Sequence, residues 1–129
     1  MTRSELFELI STLDFPKDEY YILSTAALVI YGIKDECNDL DLCISEELYE
    51  ELQKKYGITE EDKNECGFFT INELVEAVVE KKSNFRRAFE KGYPVEDLRT
   101  MLKFKRERMK EKDIRDIALI EAYLESQNR

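Results

Sequence analysis

Residues Tyr20 to Ser45 read YYILSTAALVIYGIKDECNDLDLCIS, and this stretch decides the fold. Near its end, acidic and aliphatic residues alternate, which is typical of a β-strand whose successive side chains point to opposite faces. Asp39 and Asp41 would then project from one face, roughly 6 to 7 Å apart, while the leucines beside them face a core. Hard divalent cations take oxygen ligands of this kind. The alternation therefore predicts a magnesium site.

The residues before this strand predict a second part of the same site. Tyr20–Leu23 is apolar and rich in strand formers, Thr25–Tyr31 has the small and aliphatic residues of a helix, and Gly32 is a typical C-cap. A helix start offers free backbone N–H groups to a phosphate, and Asp39 with Asp41 can hold a cation on its oxygens. Alternatively, aspartates at the end of a polar loop only cap turns or solvate an exposed strand face.

This stretch resembles the signature of the nucleotidyltransferase superfamily, which is a Gly-Ser or Gly-Gly turn, a short helix and an Asp-x-Asp strand. The C-terminal half is similar to the helical tail of the small stand-alone members, including antitoxin-type and abortive-infection-type nucleotidyltransferases. The resemblance spans Tyr20 to Leu124. The residues that carry it are Ser24-Thr25-Ala26-Ala27-Leu28, Tyr31-Gly32-Ile33, Asp39-Leu40-Asp41-Leu42, Pro94-Val95-Glu96-Asp97-Leu98, Lys105 and Lys112-Asp113-Ile114-Arg115-Asp116-Ile117.

The resemblance implies a metal-dependent enzyme that moves a nucleoside monophosphate from an NTP to a hydroxyl acceptor, whose identity the sequence leaves open. It implies that Asp39 and Asp41 hold Mg²⁺ on the triphosphate. Ser24, Thr25 and the helix start would cradle phosphates, and Lys105 would offset the charge that develops on the pyrophosphate. Ser24 stands where the family usually has Gly, which adopts positive φ without strain. This difference predicts a weakened or specialised nucleotide site.

A third carboxylate usually completes such a metal site. Gly67–Ile71 and Leu74–Glu80 predict a hairpin that turns near Asn72-Glu73, and Glu76 is an acid within its second, apolar strand. Glu76 is therefore a candidate third metal ligand or general base, or else occupies a half-exposed position on the second face. Glu73 is the second choice for the same role.

A function of a different class fits the same residues. A nucleotidyltransferase fold with a damaged phosphate turn could act as a binding module, such as an antitoxin-like or regulatory partner of another protein, in a toxin–antitoxin system for example. The net charge of −9 and the small size suit that role. The same charge does not favour nucleic-acid binding, which needs an excess of Lys and Arg on one face.

Composition narrows the remaining possibilities. The 129 residues predict one domain, 1–129, and no stretch approaches the ~20 apolar residues that span a bilayer, so we expect a cytoplasmic protein without membrane contact. The chain has no histidine, which excludes Ser-His-Asp, Cys-His and imidazole-ligated metal sites in this polypeptide acting alone. Three cysteines without a Cys-x-x-Cys pair predict reduced thiols in or near the core: Cys37, Cys43 and Cys66.

The C-terminal helices contain a charge that needs a partner. Lys105 falls within an apolar stripe formed by Val95, Leu98, Leu102 and Met109, where an unpaired charge is costly. Asp113 and Asp116 are predicted to cap the last helix or to pair with Lys105 or Arg115. A solvated basic face is predicted for four exposed positions: Arg99, Lys103, Arg106 and Lys110.

Together these patterns predict a single α/β domain of the nucleotidyltransferase fold, with a small mixed sheet flanked by helices and a helical C-terminal pair. The expected strands are Tyr20–Leu23, Asp39–Ile44, Gly67–Ile71 and Leu74–Val79. The other expected helices are Thr2–Leu13, Glu46–Lys55 and Phe85–Glu90.

Overall fold

A computed structural model describes residues 1–128 of the chain. It contains five α-helices and one six-stranded mixed sheet, which confirms the α/β class. The helices are α1 (Arg3–Leu13), α2 (Ser24–Tyr31), α3 (Glu46–Tyr56), α4 (Leu98–Arg108) and α5 (Glu111–Gln127). The strands are β1 (Tyr20–Ile22), β2 (Leu40–Ile44), β3 (Phe69–Asn72), β4 (Val75–Val79), β5 (Arg87–Glu90) and β6 (Tyr93–Glu96).

The sheet has the order β3-β4-β2-β1-β6-β5. β2 pairs antiparallel with β1 and parallel with β4, and β1 pairs parallel with β6. β3 and β4 form the expected antiparallel hairpin, in which the Leu74 N–H donates to Asn72 Oδ1 over 3.0 Å. The C-terminal ends of β1 and β6 therefore lie beside the N-terminal end of β2. The loops that follow β1 and β6 and the loop that precedes β2 meet at this edge of the sheet.

The stretch that decides the fold is the centre of the core. Leu40, Leu42 and Ile44 are fully buried on β2, as the alternation predicts, and α2 buries every residue from Ala26 to Tyr31. Gly32 ends α2 with φ of 84°, a left-handed conformation that favours glycine. The buried residues of β2 and α2 belong to one hydrophobic cluster, which also includes residues of α1, α3, α4 and α5.

Capping residues explain where two of the expected helices, α1 and α3, begin. Thr2 and Glu5 form a capping box at the start of α1, and the Leu48 N–H donates to Ser45 Oγ over 3.0 Å at the start of α3. Both helices match the predicted ranges to within one residue. None of the helices in residues 1–128 is both long enough and apolar enough to cross a membrane.

The prediction of a helix at Phe85–Glu90 was wrong, because Arg87–Glu90 and Tyr93–Glu96 form the hairpin β5–β6. The sheet therefore has six strands and not the four that were expected. A proline inside a strand normally argues against sheet, because it lacks an N–H donor. Pro94 is tolerated because β1 pairs with β6 only at Ile22 and Val95, so Pro94 lies beyond the paired part of that ladder.

The C-terminal helices pack around a buried cation. Lys105 is 7% exposed, and its Nζ lies 3.1 Å from Asp116 Oδ2 and 3.5 Å from Asp113 Oδ1, so the prediction of a paired Lys105 is confirmed. The predicted apolar stripe was partly wrong: Val95 belongs to β6, and Met109, at the C-terminal end of α4, is exposed. The basic face is solvent-exposed as expected.

Candidate functional site

A cleft of about 990 Å³ lies between the start of α2, the start of β2 and the two C-terminal helices. It collects most of the residues that the sequence analysis singled out. From the predicted set, its lining includes Ser24, Thr25, Asp39, Asp41 and Lys105. These residues are spread over more than 80 positions of sequence, so the cleft exists only in the folded chain.

The acidic side of the cleft is formed by Asp39 and Asp41. Asp39 is exposed at the end of the loop before β2, and Asp41 is half-buried within the strand. Asp41 Oδ1 is buried and has no hydrogen-bond partner among residues 1–128. Burial, together with the charges of Asp39 and Glu76, raises the pKa of Asp41 to about 6. A buried carboxylate oxygen crowded by like charges is a position that a cation would relieve.

Glu76 lies beside Asp41 in the sheet. The two residues are register partners on the parallel strands β2 and β4, which are about 4.8 Å apart in such a pair. Glu76 is half-buried and is not part of the cleft lining, so its contribution to the acidic side is through its charge on Asp41. Glu73 is exposed at the hairpin turn and is not part of the lining either.

The acidic side does not form a complete metal site by itself, but it can contribute ligands to a cation that also binds a phosphate. Within residues 1–128, no three or more Asp, Glu, Cys or His side chains are arranged to hold a metal ion. Mg²⁺, however, is commonly bound through one or two carboxylates together with substrate phosphates. The carboxylates of Asp39 and Asp41, which both line the cleft, provide that smaller donor set. The site would therefore hold Mg²⁺ with its ligand and not as a preformed protein cage.

The start of α2 lies on the same side of the cleft. Ser24 has φ of 54°, so it adopts a left-handed conformation that glycine would adopt freely. For a residue with a side chain, this conformation costs about 1 to 2 kcal/mol. The Ser24 N–H donates to Glu96 Oε1 over 3.0 Å, which places a carboxylate on the first donor of the helix. Thr25 follows, half-exposed in the cleft.

Glu96 is a site residue that the sequence analysis missed. It ends β6 and is brought next to the end of β1 by the parallel Ile22–Val95 pairing. Burial raises the pKa of Glu96, while the Ser24 N–H and the charge of Lys105 oppose that rise. Glu96 lines the cleft, and its Oε2 accepts no hydrogen bond from the described residues. Recognising β6 as a parallel strand would have identified it, because ligands bind at the carboxyl ends of such strands.

The basic side of the cleft comes from α4, α5 and the loop after α2. Three of its cations are already paired: Lys105 with Asp113 and Asp116, Arg108 with Asp113 through two bonds of 2.9 and 2.6 Å, and Lys34 with Asp116 over 2.6 Å. These contacts confirm the predicted pairing of Asp113 and Asp116 with Lys105.

Two further cations line the cleft without such partners. Lys112 and Arg115 are exposed on α5 and make no ion pair with any of the residues in 1–128. The cleft is therefore lined by two free positive charges as well as by a carboxylate pair. Such an arrangement can hold a polyanion and a cation together.

The cleft also exposes one thiol. Cys37 and Cys43 are buried and reduced, as expected, whereas Cys66 is exposed and lines the cleft beside Phe68.

We compared the chain with protein-family models, with curated proteins and with solved structures, and none of the three comparisons found a match.

Proposed function

We propose that this chain is a metal-dependent transferase with the nucleotidyltransferase fold, which moves a nucleoside monophosphate from an NTP to a hydroxyl acceptor. One observation carries the proposal: Asp41, whose Oδ1 is buried without a hydrogen-bond partner among the described residues, lines the same cleft as two unpaired cations. A triphosphate with its bound cation has the complementary charges. The proposal also rests on the order of the turn, helix and Asp-x-Asp strand in the sequence.

Each side of the cleft has a role in this proposal. Asp39 and Asp41 would hold Mg²⁺, which would neutralise part of the charge of the triphosphate. Lys112 and Arg115 bind the phosphates, because they are the cations with free donors. Lys105 adds positive charge near the leaving pyrophosphate while its own donors are held by the two aspartates. Glu76 acts on this side through its charge, which contributes to the raised pKa of Asp41.

The reaction also needs a group that takes the proton of the acceptor. The acceptor oxygen bonds to the α-phosphorus, the bond to the pyrophosphate oxygen breaks, and the hydroxyl proton passes to a base. Glu96 replaces Glu76 as our candidate base, because it lines the cleft and has one free carboxylate oxygen. A carboxylate with a raised pKa is better suited to accept a proton near neutral pH than an ordinary one.

A thermal-shift titration with each NTP, with and without Mg²⁺, tests the proposal. At about a hundred times its dissociation constant, a ligand adds ~2.7 kcal/mol of stability, which raises the melting temperature by several degrees. We expect this magnesium-dependent shift in the wild type and not in Asp39→Asn. Asp39 is exposed, so its replacement should leave the fold intact.

Asp35→Asn is the matched control, because Asp35 is exposed in the same loop and does not line the cleft. It should keep the full shift. A wild type that is indifferent to Mg²⁺ and to every NTP would overturn the proposed activity.

A second candidate function is a catalytically inactive binding module, such as an antitoxin-like or regulatory partner of another protein. The observation that favours it is the bond between the Ser24 N–H and Glu96, because a carboxylate occupies the donor that a phosphate would need. In that case a protein partner, and not an NTP, would be the ligand. Partner binding would then survive Asp39→Asn.

Replacing Glu96 by Gln distinguishes the two candidates. The amide oxygen can still accept from Ser24, but one negative charge leaves the cleft, which at a distance of about 4 Å in water is worth ~1 kcal/mol. We expect magnesium-NTP to bind about fivefold more tightly to Glu96→Gln than to the wild type, by calorimetry.

Glu73→Gln removes the same charge outside the cleft and should leave the affinity unchanged. Unchanged or weaker binding by Glu96→Gln would mean that Glu96 does not compete with the phosphates. If neither the wild type nor Glu96→Gln binds any NTP, the binding-module function is the one that remains.

A further inference from the structure

Phe104 is an aromatic residue whose exposure the packing does not explain. The side of α4 that faces the core consists of Leu98, Met101, Leu102 and Lys105, and Phe104 lies off that side. It is 53% exposed and lines the cleft. Five ring pairs organise the aromatic residues of the core and its surroundings, and Phe104 belongs to none of them within residues 1–128.

One face of the Phe104 ring is fixed by a neighbour. The Arg108 guanidinium carbon lies 5.0 Å from the ring centroid, and Arg108 is itself held by its two bonds to Asp113. This cation–π contact orients the ring before any ligand binds. A ligand that stacks on the ring therefore causes little further loss of side-chain conformational entropy. The ring is therefore a preorganised flat apolar surface beside the cations of the cleft.

A second unpaired ring lines the same cleft. Phe68 precedes β3 and is half-buried, and its backbone is held by Asn64: the Phe68 N–H donates to Asn64 Oδ1 over 3.0 Å, and its carbonyl accepts from the Asn64 N–H over 2.8 Å. It also forms no ring pair with the other described residues. Two flat apolar groups thus share one space with carboxylates and free cations.

A ligand that matches this lining has a flat aromatic part joined to a polyanion. Aromatic side chains stack on nucleobases for about 1 to 3 kcal/mol per base, with little preference for the base, since every base has a π-face. The free cations Lys112 and Arg115 are available for the phosphates of the same molecule.

We propose that Phe104 is the stacking surface for the base of the bound NTP, with Phe68 as a second aromatic contact. This inference rests on the proposed nucleotidyltransferase function. It predicts that the base adds affinity and that the four common NTPs differ little, because the recognition is by stacking.

The experiment compares magnesium-ATP with magnesium-tripolyphosphate, which has the anionic chain without the base. We expect the wild type to bind ATP more tightly than tripolyphosphate. Phe104→Leu should weaken ATP binding about tenfold and leave tripolyphosphate binding unchanged, because it keeps an apolar side chain but removes the ring. Phe104→Tyr keeps the ring and should bind ATP as the wild type does.

Phe89→Leu is the matched control. Phe89 is 57% exposed on β5 and lies under Arg87, whose guanidinium carbon is 5.3 Å from the ring centroid, but it does not line the cleft. It should bind ATP as the wild type does. Equal wild-type binding of ATP and tripolyphosphate, or undiminished ATP binding by Phe104→Leu, would overturn the inference and leave the proposed function standing. A wild type that binds neither would overturn both.

Discussion

Replacing Asp116 by Asn is expected to lower the free energy of unfolding by about 3 kcal/mol, since breaking a buried ion pair leaves an uncompensated charge. Asp116 is 6% exposed and contacts two cations, Lys105 over 3.1 Å and Lys34 over 2.6 Å. Although burial alone would raise it, these contacts hold the pKa of Asp116 below its ordinary value. Asparagine keeps the shape of the side chain and removes its charge. Urea denaturation at pH 7 measures the difference.

A surface pair on the same helices provides the control. Arg106 and Glu121 also join α4 to α5, over 2.7 Å, but both side chains are about half exposed, at 53% and 50%. Glu121→Gln makes the same acid-to-amide change and should cost no more than about 1 kcal/mol, because solvent screens exposed pairs. If both variants lowered the free energy of unfolding by the same small amount, the buried ion pairs would not be what stabilises the packing of α5.

Replacing Asp41 by Asn is expected to have the opposite sign and to raise the free energy of unfolding at pH 7 by up to about 3 kcal/mol when no metal is present. The pKa of Asp41 rises from 3.8 to about 6 on folding. Ionising the carboxyl is therefore more costly in the folded chain than in the unfolded one, and two pKa units correspond to about 3 kcal/mol. Asparagine is neutral at every pH and avoids that cost.

The pH dependence gives this prediction its sign. Below the unfolded pKa of 3.8, Asp41 is protonated in both states and the variant should have no advantage from this group. As the pH rises from 3.8 to about 6, the wild type loses stability relative to the variant, and above this range the difference stays constant. Denaturation curves at pH 3.5 and 7 with saturating and with no Mg²⁺ measure the change, and Mg²⁺ should narrow the gap at pH 7. Asp35→Asn should follow the wild type. A variant that is no more stable at pH 7 would contradict the crowding at Asp41.

The central part of the fold could be predicted because its pattern is local. The alternation at β2 determines which side chains are buried, and the small and aliphatic residues of α2 mark a helix that ends at Gly32. Lys105 could also be interpreted, because a charge within an apolar stripe requires a partner, and its aspartates follow on the next helix. In each case the signal lies within a dozen residues of sequence.

The missed parts depend on contacts between distant segments. The residues of β5 and β6 read RAFE and YPVE, which have no clear apolar alternation, and Pro94 resembles a break. Their strand character comes from pairing with one another and with β1. Glu96 becomes a site residue only through that pairing. Phe104 likewise has no signal in the sequence that distinguishes an exposed ring in a cleft from an ordinary surface residue.

The bond between Ser24 and Glu96 joins residues 72 positions apart. Contacts across such a separation form late, because the chain must close a long loop before they add stability. During synthesis from the N-terminus, the acidic side of the cleft can therefore pack before the strand that completes it has left the ribosome. The carboxylates at β2 would then lack the cations of the basic side, and the cleft is completed only when the last third of the chain docks.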